Sequence, residues 1–322
     1  MRSTHRDIVV FLRRRKEGSS GSSRCRIPGF WFSRFRFRAH TVNARTENRE
    51  PRTENQNSGT LEHRNYWNPL VISMSKHALD VWSPQLRNRR QIDVYLPPSY
   101  ESEPRRRYPV VYMHDGQNLS DPFTAFGGTT WRLEAALERL ASRGLETIVV
   151  GIHNMGEQRI AEYTPFRDAR HGGGRGDRYV RFLADVVKPK IDSRYRTRTD
   201  RDNTSILGSS LGGLISLYAF FLRPSPFGRA AVMSPSIWFG GRRILDFVEQ
   251  ARHVRGRLYL DAGTDEGAAT LRDARALARV LRQNGYRSKE AFRYVEASRH
   301  RHQEHDWAQR LPGALEFLLR TD

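Results

Sequence analysis

From about Ser75 onward, short runs rich in β-branched and aromatic residues alternate with stretches whose apolar residues recur every three or four positions. This alternation constrains the chain more than any other feature. A strand buries residues with period two and a helix with period near 3.6. Repeated succession of the two predicts one α/β domain, a mostly parallel sheet covered by helices on both faces. Strands are expected at Gln91–Leu96, Pro109–His114, Thr147–Ile152, Thr204–Leu207, Ala230–Met233, Leu258–Asp261 and Phe292–Val295. Four helical faces lie between or after them. They are Leu133/Ala136/Leu137/Leu140, Tyr179/Phe182/Leu183/Val186/Val187, Leu271/Ala274/Ala278/Leu281 and Trp307/Leu311/Leu315/Leu318. The third ends at Asn284-Gly285, a helix stop.

One of these strands runs straight into Gly208-Ser209-Ser210-Leu211-Gly212, and an apolar helical run (Leu214, Tyr218, Phe221, Leu222) follows. Gly-x-Ser-x-Gly between a strand and a helix is the context of a nucleophile elbow. The turn is so tight that side chains at 208 and 212 would meet neighbouring backbone, which accounts for glycine at both. Ser210 then projects above the positive end of the following helix. The N–H of Leu211 is placed to receive an oxyanion.

A serine hydroxyl attacks poorly at neutral pH unless a base takes its proton and an acid orients that base. On this architecture the three follow in the order Ser, acid, His, on loops after successive strands. Downstream of Leu258–Asp261 lies Gly263-Thr264-Asp265-Glu266-Gly267, with two carboxylates. Downstream of Phe292–Val295 lie His300, His302 and His305. Residue order alone leaves both choices open. A second oxyanion donor is expected from the loop after Pro109–His114.

Five separated motifs carry a resemblance. They are Tyr108–Asn118 (YPVVYMHDGQN), Glu162-Tyr163-Thr164-Pro165, Gly208–Gly213, Ser234-Pro235-Ser236-Ile237-Trp238 and His302-Gln303-Glu304-His305-Asp306-Trp307. Across roughly Gln91 to Leu319 the chain resembles the serine esterases grouped around esterase D, the siderophore esterases and the feruloyl esterases. The resemblance implies an α/β-hydrolase fold and carboxylic ester hydrolysis through an acyl-enzyme. It makes His302 the base, Glu266 rather than Asp265 the acid, and the Gln117 N–H the second oxyanion donor beside Leu211. Gly116 is expected to let the main chain approach a substrate closely. The family usually has a small residue just before the base, and Arg301 stands there instead.

Other readings of the same residues define alternatives. His300-x-His302-x-Glu304-His305 also has the spacing of a zinc hydrolase motif, which would make the protein a metallohydrolase. Trp131 and Trp238 suit either the core or an aromatic-ester pocket. Asp168, His171 and Gly172-Gly173-Gly174 read as a mobile loop able to cover a site. With neither a GxxxxGK[ST] phosphate loop nor a dinucleotide glycine fingerprint in the required context, no nucleotide or other cofactor is expected, and no metal in the serine reading.

Charge is unevenly spread. Lys and Arg number 55 against 35 Asp and Glu, a net charge of +20, and residues 1–73 hold 15 and 6 of these. That first quarter contains Arg13-Arg14-Arg15-Lys16, a Gly/Ser run over 18–23, a repeated Arg-Thr-Glu-Asn, and aromatics interleaved with arginine over 30–38. It reads as a basic, low-complexity, disordered extension ahead of an esterase domain at 74–322, with Met74 an alternative start. Such a segment could act as a nucleic-acid or surface-binding tail. A mitochondrial presequence fits less well, because the segment contains acids. The lone cysteine, Cys25, excludes an internal disulfide framework, and no apolar run is long enough to span a membrane. A cytoplasmic location is the expectation, with a small-molecule ester as partner and the oligomeric state open.

Overall fold

In the computed structural model, which describes residues 74–320, eight strands hydrogen-bond into one sheet. In chain order the elements are β1 (Lys76–Ser83), β2 (Asn88–Tyr95), β3 (Val110–His114), α1 (Leu133–Ala141), β4 (Ile148–Ile152), α2 (Arg159–Tyr163), β5 (Arg167–Asp168) and β6 (Gly172–Gly173). Then come α3 (Gly176–Phe182), α4 (Lys188–Arg194), β7 (Thr204–Ser209), α5 (Leu211–Leu222), β8 (Arg229–Met233), α6 (Arg243–Gln250), β9 (Arg257–Gly263), α7 (Ala268–Gln283), β10 (Phe292–Ala297) and α8 (Glu304–Leu319). The spatial order is β1-β2-β4-β3-β7-β8-β9-β10, and the six strands from β4 to β10 are parallel. β1 and β2 add an antiparallel edge, and β5 pairs with β6 in a small separate hairpin.

Alternate residues of the central strands enter two different apolar layers. Val110 and Tyr112 of β3, Ile206 of β7 and Leu258 and Leu260 of β9 join one; Val111, Met113, Leu207 and Tyr259 join the other. The first layer is closed by helices carrying Tyr179, Phe182, Leu217, Ile244 and Leu277, the second by α1 and α8 through Leu137, Leu311 and Leu315. With both faces dry, these strands carry apolar residues at consecutive positions (Val110–Met113, Ile206-Leu207, Leu258–Leu260), which is why they stand out in the sequence. The expected parallel sheet with helices on both faces is what the chain forms.

Departures are local. β1 was not anticipated, because as an edge strand it buries only Val81 and Ser83 fully and carries mixed polar residues. Several strands run past their expected ends. β7 continues to Ser209, paired with Met233, and β9 to Gly263, paired with Ala297. These extra ladder bonds stiffen the chain where the site residues leave the sheet. Leu271 is only half-buried and Leu277 takes its place in the core. Gly285, at φ 113°, ends α7 as expected. Between α3 and α4 the helix widens into a π turn over Leu183–Val187, just before Pro189 removes a backbone donor. Among the described residues no helix is long and apolar enough to cross a membrane. The expectations for residues 1–73 lie outside the described residues.

Candidate active site

Ser210 occupies the joint between β7 and α5 with φ 56° and ψ −121°, a region L-residues avoid. Its surroundings hold it there. Its N–H donates to Met233 O at 3.0 Å, while its carbonyl accepts from Leu214 N at 3.1 Å and Ser236 N at 3.0 Å. A Cβ on Gly208 would stand 2.7 Å from the Gly212 backbone and 2.8 Å from the His114 ring, so that glycine is obligatory. Gly212 is less confined than the sequence reading supposed; its Cβ would meet His114 Cβ at 3.3 Å. The tighter position is Gly213, where a Cβ would lie 2.8 Å from Met233 O. Close contact with β8 is the reason.

His302 bridges the hydroxyl and a carboxylate that lies far from it in sequence. Its Nε2 is 2.9 Å from Ser210 Oγ, and its Nδ1 is 2.9 Å from Glu266 Oε2. The acid and histidine loops are laced together by Thr264 N to Ala297 O (2.9 Å), Asp265 N to His300 O (3.0 Å) and Arg299 N to Thr264 Oγ1 (2.8 Å). This lacing turns the Glu266 side chain inward, fully buried, and leaves Asp265 in solvent. Burial alone would raise the Glu266 pKa. Hydrogen bonds from His302, Ser234 and the Gly263 N–H outweigh it and hold the carboxyl below its ordinary value. The Trp307 and His302 rings meet in a T-shaped arrangement at a centroid distance of 4.9 Å.

Behind Glu266 lies a buried polar group that the sequence reading did not assign. Ser234 Oγ is 2.5 Å from Glu266 Oε1, 2.7 Å from Arg310 Nη2 and 3.1 Å from Trp307 Nε1. Arg310 also reaches Glu266 Oε1 at 3.3 Å and lies 3.4 Å from Asp261 Oδ2. Two buried carboxylates thus share one guanidinium. At the other end, Ser236 Oγ is 3.0 Å from Ser210 Oγ. The only sequence signal for either serine was the Ser-Pro-Ser tripeptide after β8, and nothing in it distinguishes a site hydroxyl from a turn.

The loop after β3 is anchored rigidly. Asp115, left-handed at φ 56°, receives Arg159 Nε and Nη2, each at 2.7 Å, and Asn154 Nδ2 at 2.7 Å. Gln117 follows in a short 3₁₀ turn, with its Oε1 accepting from Asn154 N at 3.0 Å. Gly116 packs closely on β4. A Cβ there would stand 2.5 Å from the Gly151 backbone. Leu211 is the first residue of α5, where helix geometry leaves the N–H without an intrahelical acceptor.

The three histidines of the alternative zinc reading diverge. His302 faces Ser210 and Glu266, His300 Nδ1 faces Asp306 O at 3.3 Å, and His305 Nδ1 faces Asp306 Oδ1 at 3.0 Å. Among the described residues, no group of three or more His, Cys, Asp or Glu side chains is arranged to hold a metal ion. Trp131 is buried against Trp307, a core position. Trp238 is half-exposed beside His171, which Asp168 Oδ1 holds at 2.9 Å, so the glycine-rich segment is a hairpin pinned next to that indole.

The fold is that of an α/β-hydrolase. Solved structures agree on the fold. The BES protein from Bacillus cereus superposes with a TM-score of 0.62 at 21% identity, over 78% of this chain and 98% of that one. An IroE-like serine hydrolase from Shewanella oneidensis gives 0.62 at 20%, over 77% and 82%. Residues 83–318 match the model of the family described as "Putative esterase", and the chain belongs to that family, among the carboxylic ester hydrolases. YbbA of Bacillus subtilis, an uncharacterized protein, is 26% identical over 71% of this chain and 92% of its own length. The siderophore triacetylfusarinine C esterase of Aspergillus fumigatus is 30% identical over 42% of this chain, a match spanning about half of that relative (47%).

Proposed function

We propose that the protein is a serine carboxylesterase acting on small-molecule esters or thioesters through an acyl-enzyme. The observation that carries this reading is the unbroken Glu266–His302–Ser210 chain, with 2.9 Å at each step. His302 takes the proton from Ser210 as its oxygen adds to the ester carbonyl, and Glu266 steadies the imidazolium. The N–H groups of Leu211 and Gln117 receive the oxyanion. His302 then protonates the departing alcohol or thiol. The same imidazole next deprotonates a water, which attacks the acyl-enzyme and restores the Ser210 hydroxyl. None of these steps draws on a cofactor. The relation to a siderophore esterase supports a small-molecule ester as substrate and leaves its acyl group open.

Replacing Ser210 tests the reading. Ser210→Ala is expected to reduce p-nitrophenyl acetate turnover by about 10³-fold or more while leaving the circular-dichroism spectrum unchanged. Wild-type turnover by the folded variant would overturn the assignment.

A further inference from the structure

The tripeptide Ser234-Pro235-Ser236, leaving the end of β8, sets one buried hydroxyl against each end of the Glu266–His302–Ser210 chain. Proton counting fixes the direction of each bond. Trp307 Nε1 and Arg310 Nη2 can only donate, so Ser234 Oγ accepts from both. Its single proton is left for Glu266 Oε1, the oxygen not engaged by His302. At the other end, Glu266 draws the proton of neutral His302 to Nδ1, which leaves Nε2 as an acceptor for the Ser210 hydroxyl. Ser236 is then the donor to Ser210 Oγ.

We propose that Ser236 is a further catalytic residue and Ser234 a positioning residue for the hydrolysis, an inference that rests on the serine-esterase reading above. Ser236 touches the reacting atom. Its O–H stabilises the charge that Ser210 Oγ carries as its proton leaves for His302, and again when that oxygen leaves the acyl carbon in deacylation. Ser234 acts through Glu266. It holds the free carboxylate oxygen while Ser234 N is tied to Asp261 O at 3.0 Å, so the acid cannot swing away from His302. Its backbone supports the same view. Ser234 stands at φ 41°, a left-handed conformation that glycine would adopt at less cost. The strain is offset by a hydroxyl whose every hydrogen-bonding capacity is used.

Two substitutions separate this role from a structural one, read by p-nitrophenyl acetate kinetics and thermal unfolding. Ser234→Gly relieves the backbone and removes the hydroxyl. The expected outcome is a folded protein with a lower Tm, because the buried Trp307 N–H loses its acceptor, with kcat lower by about tenfold and an acidic limb of the kcat/KM profile moved to higher pH. The shift follows because Glu266, with one donor fewer, holds a proton on His302 more strongly. Ser236→Ala is expected to lower kcat by about tenfold with little change in KM and no shift of that limb. Should it fail to fold, Ser236→Cys, close in shape and a weak donor, is expected to show the same loss. Wild-type kcat in folded Ser234→Gly and in the folded Ser236 variant would overturn the inference while leaving the esterase reading intact. Activity in Ser210→Ala would overturn both.

Discussion

Glu266 and Asp265 are adjacent carboxylates on one loop, and burial gives them different chemistry. Glu266 turns into the protein and meets His302, whereas Asp265 faces water. Glu266→Gln is therefore expected to reduce kcat on the order of 10²–10⁴-fold, less than Ser210→Ala, because the acid orients the base without itself reacting. Asp265→Asn should stay within about twofold of wild type, since an exposed carboxylate away from the base has little hold on the transition state. The reverse ranking of the two in steady-state kinetics would move the acid by one residue. Residue order alone could not choose between them, since what favours Glu266 is hydrogen bonding between two loops separated by about 35 positions. Asp261 offers a second test. Burial, only partly offset by Arg310 and the Ser234 N–H and reinforced by nearby Glu266, pushes its pKa up to about 6. Because the unfolded carboxyl titrates near ~3.9, the folded state binds this proton more tightly between roughly pH 4 and 6, and stability falls as pH rises through that window. Glu266, held low, contributes with the opposite sign, stabilising above its unfolded pKa and losing that contribution as pH falls. Asp261→Asn removes the first effect and keeps the second. Its Tm relative to wild type should therefore improve steadily from pH 4 to 7 in thermal melts, and a constant difference would mean that Asp261 titrates normally.

At the scale of elements, the elbow is a contact problem between β7, α5 and β8. Gly208 faces backbone of α5 and the ring of His114, and Gly213 faces a carbonyl of β8, so neither neighbour can yield. Gly208→Ala and Gly213→Ala should each cost about 3 kcal/mol or more by overpacking. Gly212→Ala meets side-chain atoms only, the nearest being His114 Cβ at 3.3 Å and Asp115 Oδ2 at 3.5 Å, and gains helix propensity in the first turn of α5, so it should lie within about 1 kcal/mol of wild type. Urea denaturation of the three variants would check the order, and equal losses would refute the contact argument. The elbow itself was legible because a fully buried strand leads into glycines and then an apolar helix. The rank of its glycines was not, because Gly213 is confined by Met233, some twenty residues away. The strands were legible for a related reason. Buried on both faces, β3, β4 and β8 print near-continuous apolar runs, and β7 and β9 carry shorter ones (Ile206-Leu207, Leu258–Leu260), while β1, exposed along most of its length, leaves no such mark. The roles proposed for Ser234 and Ser236 were not legible even though both lie in a motif of the resemblance, because serine after a strand is also ordinary turn chemistry.

For the whole molecule, the uneven charge of the sequence separates two questions. The family match begins at residue 83, and every residue of the hydroxyl–imidazole–carboxylate chain lies within the matched span of 83–318. Residues 1–73 carry 15 basic and 6 acidic side chains and none of the proposed catalytic groups. If ester hydrolysis needs only the sheet, its helices and the loops at its C-terminal edge, a chain beginning at Met74 should fold and hydrolyse p-nitrophenyl acetate with kcat within about twofold of the full chain. Deletion should still change one property. A net excess of nine positive charges attracts polyanions through counterion release, an effect that weakens steeply with salt. The full chain should therefore elute from heparin at higher salt than the Met74-start protein, because the deletion removes nearly half of the net +20. Equal elution with full activity would mean that the basic segment neither binds polyanions nor serves catalysis. An unfolded or inactive Met74-start protein would instead give those 73 residues a part in the core or the site.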